Sequence, residues 1–336
     1  MLLSIVIPVY NEAACIPMLI ARLRAVLGSM DCEHELVFVN DGSTDETGRM
    51  LSVLAAADRR IRIVGFTRNF GHQAAITAGL DFASGDAAVI MDADLQDPPE
   101  LLPEMLRLYS QGYDVVSAQR QSRSGDGLWK KSTAAAFYWV MRRFIDERLQ
   151  AEVGDFRLFS RAAVVALRRF REQHRFMRGI VAWLGLREII IPFQREARAD
   201  GVTKYSTAKM FQLAWTAISS FSALPLRLSA GLGFGVILFG IGYFCWSMFQ
   251  KTVPGWTSLV CLQIIFSGAI LMAVGILGNY VGRIYEETKR RPLYVVSDGS
   301  LVASEWREPE RSVVLEARPI TETAGGSRLA ARVGRR

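Results

Sequence analysis

Metal-binding cysteine patterns are absent from this chain. Its four cysteines, Cys15, Cys32, Cys245 and Cys261, form no CxxC pair and have no histidine at ligand spacing. That argues against a zinc site, and they read as small buried hydrophobes in a reducing compartment. No GxGxxG turn follows the first apolar run, so a nicotinamide dinucleotide fold is disfavoured. The N-terminus runs straight into Leu2-Leu3-Ser4-Ile5-Val6-Ile7-Pro8 without a basic n-region or cleavage site. It has the look of a first strand, not of a secretory leader. Charge is missing from two long stretches, residues 228–249 and 256–281.

Apolar residues make up 50% of the 336, and the mean hydropathy is positive. For a chain with a charged C-terminal tail this is high, so part of it should meet lipid. The net charge of +7 suits an anionic membrane surface or a phosphorylated ligand, and equally the Lys/Arg bias of cytoplasmic loops. Each charge-free stretch reaches the roughly 20 residues that cross a bilayer core. Residues 250–255 between them allow only a short connection, so a helical hairpin is expected. Arg227 precedes the first stretch and Arg283, Lys289, Arg290 and Arg291 follow the second, against Lys251 alone in the connection. The positive-inside rule then puts both ends in the cytoplasm. Gly231-x-x-x-Gly235 and Gly278-x-x-x-Gly282 favour close helix approach, in a packed hairpin or a homo-oligomer.

Before the hairpin, from residue 2 to about 116, apolar runs at 3–9, 35–40, 62–67 and 87–91 alternate with helical patterns at 13–27, 44–57 and 73–83. This is an α/β alternation with a mostly parallel sheet, because parallel strands need crossover connections. Ligands of such sheets bind outside the carboxyl ends of the strands. The residues found there are Tyr10-Asn11-Glu12, Asp41-Gly42-Ser43-Thr44-Asp45, Arg68-Asn69-Phe70-Gly71 and Asp92-Ala93-Asp94. Asn11, Ser43 or Thr44, and Asp45 are also ordinary N-cap candidates, and Gly42 and Gly71 ordinary turn residues. Capping does not account for Arg68 or for the paired Asp92 and Asp94. Two carboxylates two residues apart, with the Gln96 oxygen at the same period, suit a hard divalent cation that also holds phosphate oxygens. Asp-x-Asp alone is equally an acidic turn, closed here by Pro98-Pro99.

Three ordered stretches carry a family resemblance: Val6-Ile-Pro-Val-Tyr-Asn-Glu12, Val39-Asn-Asp-Gly-Ser-Thr-Asp45 and Asp92-Ala-Asp-Leu-Gln-Asp-Pro-Pro-Glu100. The chain resembles the family 2 inverting glycosyltransferases, in the polyprenyl-phosphate glycosyltransferase branch, to about residue 290. The resemblance implies a GT-A, Rossmann-like, mostly parallel sheet. It places Pro8, Tyr10, Glu12, Asp41, Asp92 and Ala93 against the nucleotide. Asp92, Asp94 and Gln96 would organise Mg²⁺ or Mn²⁺ on the sugar-nucleotide diphosphate, with Asp94 catalytic.

Further along, a strand at 114–118 ends in Gln119-Arg120, and a Gly-containing polar stretch at 122–127 reads as a mobile loop. Residues 128–144 read as an interfacial helix, with Trp129, Tyr138 and Trp139 beside Lys130, Lys131, Arg142 and Arg143; a core helix with solvated basic ends is the other reading. The resembling family grips the lipid phosphate in this region, which makes Arg120, Lys130 and Lys131 acceptor-phosphate candidates. Gly154-Asp155-Phe156-Arg157-Leu158 matches that family's acceptor-side motif. Asp155 is then either a general base or a positioning group, since a phosphate monoester with a second pKa near 6 is already largely ionised at cytoplasmic pH. Gly201-Val-Thr-Lys-Tyr-Ser206 resembles a Gly-x-Ser-Lys-Tyr loop, making Arg198 and Lys204 candidate diphosphate clamps.

The division expected is a cytoplasmic catalytic domain over 1–205, a juxtamembrane interfacial helix over 206–227, and two membrane helices within 228–282, at about 228–249 and 257–281. A largely disordered basic tail over 283–336 completes it. The resemblance implies transfer of a sugar from a nucleotide diphosphate to polyprenyl phosphate at the inner membrane, with no nucleic-acid partner. UDP-glucose is the favoured donor; UDP-aminoarabinose, GDP-mannose and UDP-N-acetylhexosamine are alternatives. A processive polysaccharide synthase shares the first three motifs, but two spans form no channel and no Gln-x-x-Arg-Trp motif is present.

Overall fold

The computed structural model describes residues 1–120, 153–194, 224–248 and 256–297. β1 (Leu2–Val9) has no charged side chain and is buried from Leu3 onward, as a strand covered on both faces must be. Around it stand β2 (Glu33–Asn40), β3 (Ile61–Gly65), β4 (Ala87–Ile90), β5 (Val115–Arg120), β6 (Val153–Ser160) and β7 (Glu188–Phe193). They form one sheet in the order β3-β2-β1-β4-β6-β5-β7. Every neighbouring pair is parallel except the two made by β6, which runs antiparallel to β4 and to β5. The α/β reading of the sequence holds, and the strand boundaries differ from the expected ones by a few residues at most.

Alternation along β1 splits the core in two. Leu3, Ile5 and Ile7 face one cluster, with Ile16, Leu19 and Leu23 of α1 (Ile16–Gly28), Leu51 of α2 (Thr47–Ala57) and Met105 of α4 (Leu102–Ser110). Val6 faces the other, with Ile76 and Leu80 of α3 (His72–Phe82), Val164 of α5 (Arg161–Leu167) and Ile180 of α6 (Met177–Leu184). Cys15 is buried and Cys32 half-buried, both as free thiols. The helix expected from residue 13 starts only at Ile16, with Pro17 in its first turn, where a missing N–H costs nothing.

Two further helices follow, α7 (Leu224–Met248) and α8 (Trp256–Thr288). They pack against each other and leave an apolar cleft of about 570 Å³ between them, lined by Gly231, Gly235, Phe239 and Phe266 among others. Among the described residues, Ile265–Thr288 is the one stretch long and apolar enough to cross a membrane by length and composition. Large apolar side chains on both helices stand exposed, Phe234, Phe239, Leu271 and Leu277 among them. A surface of this kind is covered by lipid or protein in its native setting.

Residues 283–297, expected to belong to a largely disordered tail, are part of the described structure. α8 continues through Glu286 and Glu287 because the globular domain holds them: His174 Nε2 lies 2.6 Å from Glu286 Oε2, and the Gln173 N–H donates to Glu287 Oε1 at 2.7 Å. Lys130, Lys131 and the expected interfacial helix, Arg198, Lys204 and the 201–206 loop, the juxtamembrane residues up to 223, and the tail beyond 297 lie outside the described residues.

Candidate active site

β1 to β4 are parallel neighbours, so their carboxyl ends lie side by side, and their loops are laced together by side chains. Asn11, in the left-handed region at φ 55, does not cap α1. Its Oδ1 accepts from the Thr44 N–H at 2.9 Å and its N–H donates to Ser43 Oγ at 3.0 Å. Asp45 accepts from the N–H groups of Thr47 and Ala13, and the Glu12 N–H donates to Thr47 Oγ1. The residues that looked like caps therefore join the first loop to the second. Pro8 is buried at the end of β1, while Tyr10 stands 46% exposed at the mouth of the cleft.

Asp41 is buried and turned toward the third loop, where its Oδ1 accepts from the Phe70 N–H at 2.7 Å and its Oδ2 from the Gly71 N–H at 3.0 Å. Burial pushes its carboxyl upward against these amide bonds. Gly42 permits the approach: it sits at φ +67, and a Cβ there would stand 2.5 Å from the carbonyl carbon of Arg68.

Asp92 to Asp97 form a closed turn. The Asp92 N–H donates to Asp97 Oδ2 at 3.1 Å, the Gln96 N–H donates to Asp94 Oδ1 at 3.2 Å, and Leu95 is forced to φ 63. A branched side chain there is a strained arrangement of the kind that collects at working sites. Ala93, Gln96 and Asp97 are buried. Gln96 Oε1 is buried without a hydrogen-bond partner, and so is Asp97 Oδ1, although Arg120 Nη2 lies 3.8 Å from it. Burial, and then the charges of Asp155 and Asp94, raise the carboxyl of Asp92 against the pull of His72 and Arg120. Burial and the charge of Asp92 push Asp97 up to about 7.

An orphaned amide oxygen among mutually repelling carboxylates is the donor chemistry that a hard divalent cation relieves. Among the described residues no three His, Cys, Asp or Glu side chains gather closely enough to hold a metal by themselves. Asp92, Asp94 and Gln96 are the residues whose oxygen chemistry would suit such a cation.

Opposite this turn, β6 presents Asp155. Its Oδ2 lies 3.5 Å from His72 Nε2 and accepts from Gln73 Nε2 at 3.4 Å, and its Oδ1 accepts from Arg178 Nε at 3.4 Å. Burial works against the charge, but the bond from His72 and the charges of Arg178, His72 and Arg157 hold Asp155 well below the usual carboxylate range. His72 also stands 3.6 Å from Asp92 Oδ1. Desolvation opposes its protonation, yet Asp155 and Asp92 push it up to about 9. Its side chain is 44% exposed, so solvent weakens that pull.

Gln73 Oε1 accepts from the Met177 N–H at 3.2 Å, which ties the start of α3 to the start of α6 and brings Arg178 into reach. Arg120, at the end of β5, lies over Gly154, whose absent Cβ would stand 3.3 Å from Nη2. A shift of register between Ser117 and Gln119 re-aims the strand end toward the cleft.

The structure thus brings Arg120, Asp155 and the Asp92–Gln96 turn together and adds His72, Gln73, Asp97 and Arg178, which the sequence reading did not single out. His72 could have been found by carrying the rule of strand ends one residue past Gly71. Arg178 leaves a weaker trace, a lone charge in the otherwise apolar helix Met177–Leu184.

Comparison with known proteins identifies the family. The family described as Glycosyl transferase family 2 matches residues 4–168. The chain is 43% identical over 300 residues to the uncharacterized glycosyltransferase YkcC of Bacillus subtilis (strain 168), covering 87% of this chain and 92% of that one. It is 38% identical over 303 residues to the bactoprenol glucosyl transferase of Shigella phage SfV, covering 89% and 99%. Among solved structures, mannosyl-3-phosphoglycerate synthase from Rubrobacter xylanophilus aligns over 76% of this chain and 78% of its own, at 17% identity and a TM-score of 0.44. The chain belongs to glycosyl transferase family 2, has the GT-A α/β fold and is a glycosyltransferase.

Proposed function

We propose that the protein transfers a sugar, with inversion, from a nucleotide diphosphate to polyprenyl phosphate at the cytoplasmic face of the inner membrane. Near-complete coverage of a bactoprenol glucosyl transferase at 38% identity carries this reading and favours glucose from UDP-glucose. In support, the apolar stretch Ile265–Thr288 ends in the turn whose Glu286 and Glu287 are held by His174 and Gln173 of the globular domain, so the site can work beside a bilayer.

The residues divide the work across the cleft. Pro8, Tyr10, Glu12 and Asp41 with the 68–71 loop hold the nucleotide. Asp92, Asp94 and Gln96 hold Mg²⁺ or Mn²⁺, which supplies positive charge against the departing diphosphate. Arg198 and Lys204 add cationic contacts to that diphosphate, and Arg120, Lys130 and Lys131 take the lipid phosphate. An oxygen of the lipid phosphate attacks the anomeric carbon as the bond to the diphosphate oxygen breaks. One displacement inverts the centre. Asp155 is a positioning residue in this scheme: a carboxylate held so firmly ionised is a poor proton acceptor, and an ionised phosphate needs none. α7 and α8 form the membrane hairpin, with both chain ends cytoplasmic.

Membranes carrying the protein are incubated with a panel of labelled nucleotide sugars, and the lipid is extracted. Label from UDP-glucose in a lipid that mild acid hydrolyses is expected. Label only in long polymer, or in no lipid with any donor, would overturn the reading.

A further inference from the structure

The chain does not leave the domain after α8. Arg290 takes the left-handed conformation at φ 50 and Pro292 follows, ending the helix. Residues 293–297 then run back along β3, the edge strand of the sheet. The Thr67 N–H donates to the Val295 carbonyl at 3.1 Å, the Ser297 N–H donates to the Gly65 carbonyl at 2.8 Å, and Phe66 and Val296 form an antiparallel bridge. Covering a free edge protects a sheet from unwanted pairing, and these backbone bonds need no further reason.

The side chains go further. Tyr294 stacks on Phe66, with ring centroids 5.1 Å apart and planes 14° apart, and its hydroxyl donates to Asp81 Oδ2 at 2.7 Å. Asp81 is held in turn by two bonds from Arg171, at 2.7 and 2.9 Å. Phe66 meets Phe70 edge-on at 5.6 Å, and the Arg68 guanidinium lies 4.0 Å from the centre of the Phe70 ring. The N–H groups of Phe70 and Gly71 are the two that Asp41 holds. At its other end the strap continues from the helix turn whose Glu286 and Glu287 are fixed by His174 and Gln173.

We propose that Tyr294 is a positioning residue for the nucleotide: the strap 293–297 sets the 68–71 loop through Phe66 and Phe70. Nucleotide affinity thereby depends on the seating of the last turn of α8. The inference rests on the nucleotide site proposed above. It makes the strap part of the support of the proposed donor site.

The test uses the full chain in nanodiscs, with binding of UDP and of GDP measured by calorimetry in Mn²⁺ and hydrogen exchange followed at residues 66–71. Tyr294→Leu is expected to weaken nucleotide binding and raise the donor KM by about tenfold, with kcat within about twofold of wild type. Tyr294→Phe keeps the stacked ring and loses only the bond to Asp81, so it should recover most of the loss, to within about threefold of wild type. Exchange at the Phe70 and Gly71 amides should quicken in the Leu variant. A lowered melting temperature with unchanged affinity, KM and exchange would leave the strap as edge cover alone and overturn the proposal. If wild type binds neither nucleotide, the site reading fails, and exchange at Phe70 and Gly71 decides the strap: faster supports it, unchanged overturns it. Should Tyr294→Leu not fold, Tyr294→Met, which also removes the ring stacked on Phe66, decides by the same measurements, with wild-type affinity, KM and exchange as the overturning result.

Discussion

His72 Nε2 and Asp155 Oδ2 stand 3.5 Å apart, one on the first turn of α3 and the other on β6, and together they join the two walls of the cleft. Because Asp155 is also held by Arg178 and Gln73, its charge is fixed in place and not poised for proton uptake. The rate of transfer should follow the second ionisation of the acceptor phosphate, near pH 6, and show no carboxylate limb above pH 4. Asp155→Asn should lower kcat by about 10²-fold through lost positioning and keep the limb near pH 6. A profile in which that limb disappears with the carboxylate would restore Asp155 as the general base.

Gln96 Oε1 has no hydrogen-bond partner among the described residues, so replacing the side chain takes away no bond that this oxygen makes there. Gln96→Ala should weaken Mn²⁺ binding by about 10- to 100-fold. Chelation of wild type should abolish transfer, and Mg²⁺ or Mn²⁺ should restore it. Asp94→Ala should cost at least about 10²-fold in kcat at saturating metal. Undiminished Mn²⁺ binding in Gln96→Ala would remove Gln96 from the ligand set.

The parts of this molecule that could be read from sequence are those whose signal is local. β1 and β4 are short apolar runs ended by polar residues, and the Asp92–Gln96 turn follows its strand directly. The insertion of β6 antiparallel between β4 and β5 could not be read, because it depends on pairing between distant segments. His72, Gln73 and Arg178 converge on Asp155 from α3 and α6, and no spacing in the chain records that meeting. The strap escaped for another reason: Leu293-Tyr294-Val295-Val296 is β-prone but short, and only the free edge of β3 gives it a structure. Asn11 shows how a correct local rule can mislead, since residues suited to capping are equally suited to joining loops, whereas Asp45 does both, accepting from the Thr47 N–H at the start of α2 and from the Ala13 N–H of the first loop.

Glu35 supplies a test of stability away from the cleft. It is buried at the far end of the sheet and accepts from Ser4 Oγ, the Ser84 N–H and hydroxyl, and Arg62 Nη1. Burial opposes its charge, but these bonds outweigh it and lower its carboxyl below the ordinary value of 4.5. A depressed folded pKa means stability that is present above pH 4.5 and lost as pH falls through the folded value. Glu35→Gln should therefore cost about 1–3 kcal/mol at pH 7. The gap between the two melting temperatures should narrow steadily below pH 4.5. A gap that stays constant down to pH 3 would show that shape and not charge sets the role of Glu35.

Gly42 and Gly71 separate two costs of substituting glycine. Both have positive φ, +67 and +100, but a Cβ on Gly71 meets nothing within 4 Å, whereas one on Gly42 falls 2.5 Å from Arg68 C and 2.7 Å from Asn69 N. Gly71→Ala should cost only the backbone penalty, about 1–3 kcal/mol for a conformation that is nearly glycine-only. Gly42→Ala adds overpacking of about 1–3 kcal/mol against backbone atoms, which cannot swing aside as a side-chain end can. The loops after β2 and β3 must then separate, and Asp41 loses its grip on the Phe70 and Gly71 amides. Gly42→Ala should accordingly melt lower than Gly71→Ala and bind nucleotide more weakly, with faster amide exchange at Phe70 and Gly71. Equal melting temperatures for the two variants would mean that the loops yield freely, and that the contact between Asp41 and the third loop does not hold the pocket's shape.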